Sequence, residues 1–267
     1  MKIYHSKKII ELDWDETVEV SDLKIKAIKV KHFGWRYPWQ EDRSKGFKNG
    51  RSYNAYIIEK KGKKIFFGGD TAYVDWFKKY KSENIDVAIM PIGAYNPWKM
   101  SHFNPEEESM RRRDFLKYFS IGTSSILFTG IFENLFARVE SLEPREAPIK
   151  PDLSSWSNDK INFCWIGHST YLINFYGKII LTDPVFSNRI GLYALITNLG
   201  PKRIIAPAIK PEKIPQPDLI LLSHAHFDHM DYPTLKYFSE KFSNKISVVT
   251  SFKTKDIIEN LSFKKNN

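Results

Sequence analysis

Asp218-Leu-Ile-Leu-Leu-Ser-His-Ala-His-Phe-Asp-His-Met-Asp231 is the stretch around which the chain is organised. Its short apolar run has the pattern of a buried β-strand. The run ends directly in His224-x-His226-x-Asp228-His229. Four candidate metal ligands fall within six residues, and they include three of the seven histidines in the protein. Imidazole nitrogens and carboxylate oxygens suit zinc or another first-row divalent ion. A loop just past a strand end can turn them towards a common point. The alternative is a polar turn that happens to be rich in histidine, and the full pattern argues against it.

Working outward, 267 residues suffice for one large domain or two small ones. A hydrophobic content of 42% with 15% aromatics supports a real core, so only 43–52 and the last few residues read as candidates for disorder. The net charge is +10. Lysines scattered between apolar residues read first as a solvated face. The alternative is attraction to an anionic surface such as phospholipid head groups or nucleic acid. The single cysteine, Cys164, excludes an intrachain disulfide, and its apolar context suits an inert core thiol better than a nucleophile. The redox compartment is therefore not readable from cysteine.

Three strand ends in the first part of the chain each deliver a polar candidate. Residues 23–31 alternate like a half-exposed strand, with a slip at Ala27-Ile28 that reads as a bulge. They lead into His32-Phe-Gly-Trp-Arg-Tyr-Pro-Trp39, where His32 is either a ligand or packing. Residues 54–59 and 64–67 read as the next two strands, the second ending in Gly68-Gly69-Asp70-Thr71. Two glycines let the backbone come close to something and Asp70 project into a site; a simple turn is the alternative. Residues 72–82 read as helix, with Val74, Phe77 and Tyr80 on one side. Residues 85–91 form another buried strand, followed by a loop that carries His102. Sites assembled from strand-end loops are the usual arrangement in α/β enzymes.

Met110-Arg-Arg-Arg-Asp-Phe-Leu-Lys117 and the uncharged run after it look like a twin-arginine export signal in an internal position. The run is short and polar for a membrane span, which needs about 20 apolar residues; an apolar helix packed on the domain is the alternative. Residues 140–158 read as linker. Strands resume at 161–165 and 170–182 around Gly167-His168-Ser-Thr170, and the second ends at Asp183, which is placed to support the metal loop from behind. At His168 a structural hydrogen bond is favoured over catalysis. Residues 232–242 read as helix, 246–250 as strand and 253–261 as a second helix.

Together the motifs resemble the metallo-β-lactamase superfamily, and within it the N-acyl-phosphatidylethanolamine phospholipase D-like group. The likeness lies in Trp165-Ile-Gly-His-Ser-Thr170, Thr182-Asp-Pro-Val-Phe-Ser187, Gly200-Pro-Lys-Arg203, Ser223 to Asp231, Ile10-Glu-Leu-Asp-Trp14, Lys31-His-Phe33, Gly69-Asp-Thr71, Ile92-Gly-Ala-Tyr95 and His102-Phe-Asn-Pro-Glu-Glu107. It implies an α/β fold, the αβ/βα four-layer sandwich, with metals at one edge. The motif order differs from the family's, which would run 110–267 and then 1–109. The expected architecture is therefore a circularly permuted and C-terminally incomplete version of that sandwich, since the family's last segment, with a further metal-binding histidine, has no counterpart here. An open reading frame assembled out of order is the other explanation. In domain terms, 1–109 is the second half of the fold, 110–158 the signal-like segment and linker, and 159–267 the first half.

The resemblance implies a metal-dependent hydrolase, most closely a phosphodiesterase, with zinc as one or two ions, or manganese or iron. His224, His226 and His32 would hold the first ion, Asp70 would bridge, and Asp228 and His229 would hold the second. Asp228 and His102 are the catalytic candidates, with His102 donating a proton to the leaving group. Expected partners are a phosphodiester substrate of phospholipid type and a membrane surface; no organised nucleic-acid motif is seen. A non-catalytic metal-binding fold is the alternative, because the last family histidine has no counterpart. Location follows the start: exported or periplasmic if Met110 begins the protein, cytoplasmic otherwise.

Overall fold

The computed structural model describes residues 9–92, 121–122, 143–194, 197–243 and 245–263. Most of their strands fall into two sheets. The first is built from β1 (Ile9–Leu12), β9 (Ile161–Gly167), β10 (Thr170–Phe175), β11 (Lys178–Thr182), β14 (Leu219–Leu221) and β15 (Ser247–Ser251), in the order β1-β15-β14-β11-β10-β9. The second runs in sequence order through β2 (Thr17–Val20), β3 (Leu23–Lys29), β4 (Asn54–Lys60), β5 (Lys63–Phe67) and β6 (Val87–Ile89). Two small pairs stand apart, β7 (Pro91–Ile92) with β8 (Ile121–Gly122) and β12 (Leu192–Ala194) with β13 (Thr197–Leu199).

The larger sheet joins the two parts of the chain. β1 pairs in parallel with β15, Ile9 opposite Val248 and Leu12 opposite Ser251. The joint is reinforced in the loops. Glu11 Oε1 accepts from the backbone nitrogens of Thr254 and Lys255 at 2.9 and 2.7 Å. Arg51 forks onto Asp256 at 2.8 and 2.7 Å.

Period-two alternation explains the layers. On β10, Tyr171, Ile173 and Phe175 enter the space between the sheets, where they meet Leu23, Ile25, Tyr56, Ile58, Ile65 and Phe67 of the facing sheet. Leu172 points the other way, with Leu181, Ile220 and Val248, and is covered by Leu235 and Phe238 of the helix Tyr232–Lys241. The outer face of the smaller sheet, Ile57, Phe66 and Ala88, is covered by Tyr80 and Phe77. The order is therefore helix, sheet, sheet, helical segment, as the αβ/βα expectation requires. No helix among the described residues is long and apolar enough to cross a membrane.

Four local expectations are corrected. The slip at Ala27-Ile28 is not a bulge: β3 pairs with β4 without a register shift, from Lys24 opposite Glu59 to Lys29 opposite Asn54. Ala27 faces the inner core and Ile28 the outer one, so both are apolar because both faces are covered. Residues 170–182 are a hairpin and not one strand. Tyr176 and Gly177 both adopt positive φ, 50° and 84°, the requirement of a two-residue hairpin turn. The helices expected over 72–82 and 253–261 are the 3-10 segments Asp75–Glu83 and Lys255–Ile257. Residues 43–52 are ordered: Asp42 caps the turn Arg43–Lys45 by accepting from Ser44 N at 2.6 Å, and Arg43 binds Asp13.

Cys164 lies half-buried in β9, and burial pushes its thiol up to about 11. Ile173 is fully buried between the sheets. Ile173→Ala is expected to cost about 2–5 kcal/mol in urea unfolding; a loss under about 1 kcal/mol would contradict the packing described.

Candidate metal centre

β14 stops at Leu221, and the two carbonyls that follow are taken by the facing sheet. Tyr56 Oη donates to Leu222 O at 2.8 Å and Asn54 N to Ser223 O at 2.9 Å. His224 then begins a tight loop in which the His229 and Met230 nitrogens donate back to His226 O at 3.1 and 2.8 Å. Arg36 closes this loop from outside. Its Nη1 donates to Ala225 O and to Met230 O, both at 2.9 Å, and its guanidinium lies 4.1 Å from the Phe227 ring centre. Burial pulls Arg36 down to about 10, which leaves it cationic at neutral pH. Nothing in the sequence singled Arg36 out; it reads as one residue of an aromatic loop.

The other sheet supplies two side chains to the same edge. His32 follows β3 and Asp70 follows β5. The two strand ends are tied by Lys31 N donating to Thr71 Oγ1 at 3.1 Å and Ala72 N to Lys31 O at 3.0 Å. Gly69 lets them approach the histidine loop. It has a φ of 55°, and a Cβ there would lie 2.6 Å from Ser223 Cβ. Glycine is thus required twice, for conformation and for space.

The donor atoms converge. His224 Nε2 faces His226 Nδ1 at 2.8 Å. The His32 ring is 4.7 Å from His224 and 5.1 Å from His226, centre to centre. Asp70 Oδ2 lies 3.9 Å from His32 Nε2 and 3.1 Å from His229 Nε2. Asp228 Oδ2 is 3.8 Å from His229 Nε2 and 2.9 Å from His168 Nε2. Three overlapping sets result: His32, His224 and His226; Asp70, His224 and His229; His168, Asp228 and His229. All six expected metal ligands are in one place. His102 and the Met110–Lys117 segment lie outside the described residues.

Behind the donors sits Asp183. Its carboxylate accepts from Ser223 N and Ser223 Oγ at 2.7 and 2.6 Å and lies 2.8 Å from His229 Nδ1. That contact fixes the His229 ring and turns its Nε2 towards Asp70 and Asp228, the usual way a carboxylate orients a metal-binding histidine. Ser223 Oγ lies 2.9 Å from His224 Nδ1 and does the same for that ring.

The electrostatics suit a cation. Burial, together with neighbouring histidines, pulls His224 well below the ordinary range and His226 down to about 4. Both rings are therefore neutral, as ligands must be. Burial would push His229 down as well, but Asp70, Asp228 and Asp183 outweigh it and raise its pKa well above the usual value. Burial would raise Asp228; His229 and His168 outweigh it and hold the carboxyl well below its usual range. Several carboxylates thus compete for one positive charge, which a divalent ion would supply more fully than a proton. His226 Nε2 is buried with no hydrogen-bond partner among the described residues, while its Nδ1 faces the other donors. The donor set fits zinc or a similar ion.

Comparison with known proteins agrees with this chemistry. Two models described as a beta-lactamase superfamily domain match, one over residues 2–114 and the other over 162–265. The mitochondrial N-acyl-phosphatidylethanolamine-hydrolyzing phospholipase D of Saccharomyces cerevisiae is 42% identical over 79 residues, 30% of this chain and 16% of that protein. A UPF0173 metal-dependent hydrolase of Haloquadratum walsbyi is 38% identical over 66 residues, 25% of this chain and 21% of that protein. The matched stretches thus span about a fifth or less of these curated relatives. A solved structure of a putative metal-dependent hydrolase from Parabacteroides distasonis is 18% identical, covers 41% of this chain and 44% of its own, and has a TM-score of 0.28, too low to carry an argument.

Asp183→Asn removes the charge behind His229 while keeping its size. It is expected to weaken zinc binding about 10- to 100-fold, read by competition with a chromogenic chelator. Unchanged affinity would show that His229 is oriented by something else.

Proposed function

We propose, from the premise that this chain belongs to the metallo-β-lactamase superfamily of metal-dependent hydrolases, that it cleaves phosphodiesters of phospholipid type. The observation that carries the reading is the meeting of His32 and Asp70 from one sheet with His224, His226, Asp228 and His229 from the other. In this reading His224, His226 and His32 would hold one ion and Asp228 and His229 a second, with Asp70 available to both. Bound divalent ions lower the pKa of water to about 7 and neutralise charge on phosphoryl oxygens.

The remaining steps belong to the chain. Asp183 and Ser223 hold the imidazoles in place. Arg36 fixes the loop that carries them. Phe33, stacked on His32 at 4.4 Å, and Trp35, 5.3 Å from His226, cover one side and exclude water there. His102 is proposed as the proton donor to the leaving group. The net charge of +10 favours an anionic substrate. Trp39 is 80% exposed and Phe47 45%, and the lysines Lys45 and Lys48 flank Phe47. This group supports contact with an anionic membrane surface. The likeness to the yeast phospholipase D supports a phospholipid as substrate.

Two further proposals concern the chain's layout. The transposed motif order is read as a circular permutation, which the parallel pairing of β1 with β15 makes sterically natural. Export through the Met110–Lys117 segment is read from its twin-arginine pattern. N-terminal sequencing and a peptide map of the native protein decide both.

For the function itself, protein stripped by chelation should lose hydrolysis of bis(p-nitrophenyl) phosphate and recover it with zinc or manganese. His226→Ala should lower kcat/KM by about 100-fold or more, since metal contributes several kcal/mol to such transition states. Turnover that survives stripping would sink the proposal, and recovered metal without turnover would leave a binding protein in place of an enzyme.

A further inference from the structure

We infer that His168 is itself a ligand of the second ion, beside Asp228 and His229; the inference rests on the two-ion reading above. His168 Nε2 lies 2.9 Å from Asp228 Oδ2, which lies 3.8 Å from His229 Nε2, which lies 3.1 Å from Asp70 Oδ2. Donors on a tetrahedral ion with bonds of 2.0–2.1 Å stand about 3.3 Å apart. The first two separations, within the set His168, Asp228 and His229, bracket that value. His168, Asp228 and His229 also offer atoms that all lie within 4.8 Å of one another.

The backbone presents this imidazole by construction. His168 has a φ of 53°, uncommon for a residue with a side chain, and it follows Gly167 at a φ of 142°. Strained residues of this kind persist where the surroundings over-determine them, and they gather at functional sites. The surroundings here are specific. Trp165 Nε1 donates to His168 O at 2.6 Å. Thr182 Oγ1 donates to Ser169 O at 3.2 Å, and Thr170 Oγ1 donates to Asp183 O at 2.8 Å. A register shift between Thr170 and Tyr171 marks the bulge that turns the strand here. Ser169 Oγ reaches His229 Nε2 at 3.3 Å. The turn is thus hung from Asp183, the same residue that orients His229. One residue sets the position of donors on both strands, through its backbone oxygen on Thr170 and its carboxylate on His229.

The competing role is a prop: His168 donates a hydrogen bond to Asp228 and never touches an ion. His168→Gln separates the two, because the glutamine amide can still donate to Asp228 but is a poor ligand for first-row ions. Stripped wild type, His168→Ala and His168→Gln are titrated with cobalt(II). The readouts are ions bound per chain and the visible absorption of each, with circular dichroism to confirm folding. Wild type should bind two ions. Both variants should keep the first and bind the second at least 100-fold more weakly, with the second ion's spectrum altered. Wild-type affinity for the second ion in His168→Gln would make His168 a prop and overturn the inference, as would loss of both ions together in that variant. Fewer than two ions in wild type would instead overturn the two-ion reading on which the inference stands.

Discussion

A buried carboxylate holds this molecule's working edge together. Asp183 is fully buried, at the end of β11, and an anion there is tolerable only if its lone pairs are filled. Ser223 fills two of them and His229 a third. The backbone of the same residue is equally committed, with its nitrogen donating to Leu221 O and its oxygen accepting from Thr170 Oγ1. The hydrogen bonds that satisfy Asp183 therefore set the spacing of β10, β11 and β14 at the end where the donors emerge. Stability and site geometry are one requirement at this point.

The facing sheet obeys a second constraint. Its strand ends must approach the histidine loop closely enough for Asp70 to reach His229, and the backbone at Gly69 meets Ser223 with no room for a side chain. Tyr56 and Asn54 then bond the strand end of the other sheet directly. The sandwich is held apart in its middle by large apolar side chains such as Phe67 and Phe175 and drawn together at its edge by polar bonds. This division leaves the donors where the edges of the two sheets meet.

Much of this was legible in the sequence. The strand before Ser223, the ligand types after it, and the polar residues ending two earlier strands are local signals, and each survives in the structure. Asp183 was readable as a support for the metal loop from its place at a strand end. What could not be read depends on packing across the chain. Ala27-Ile28 looked like a register slip because a sequence does not show that a sheet is covered on both faces. Arg36 gave no signal because its role comes from two carbonyls nearly 200 positions away, at Ala225 and Met230. The Tyr176-Gly177 turn did carry a signal, a glycine between two apolar runs, which the continuous hydrophobicity of 170–182 concealed.

The protein's one thiol has a practical consequence. With burial pushing Cys164 up to about 11, little of it is thiolate at pH 7, and the thiolate is the form that alkylates and oxidises. In maleimide chemistry Cys164 is a slow competitor. A dye or spin probe can therefore be placed on the rim beside the donors through an introduced cysteine, with the native sulfur left in place as slow background.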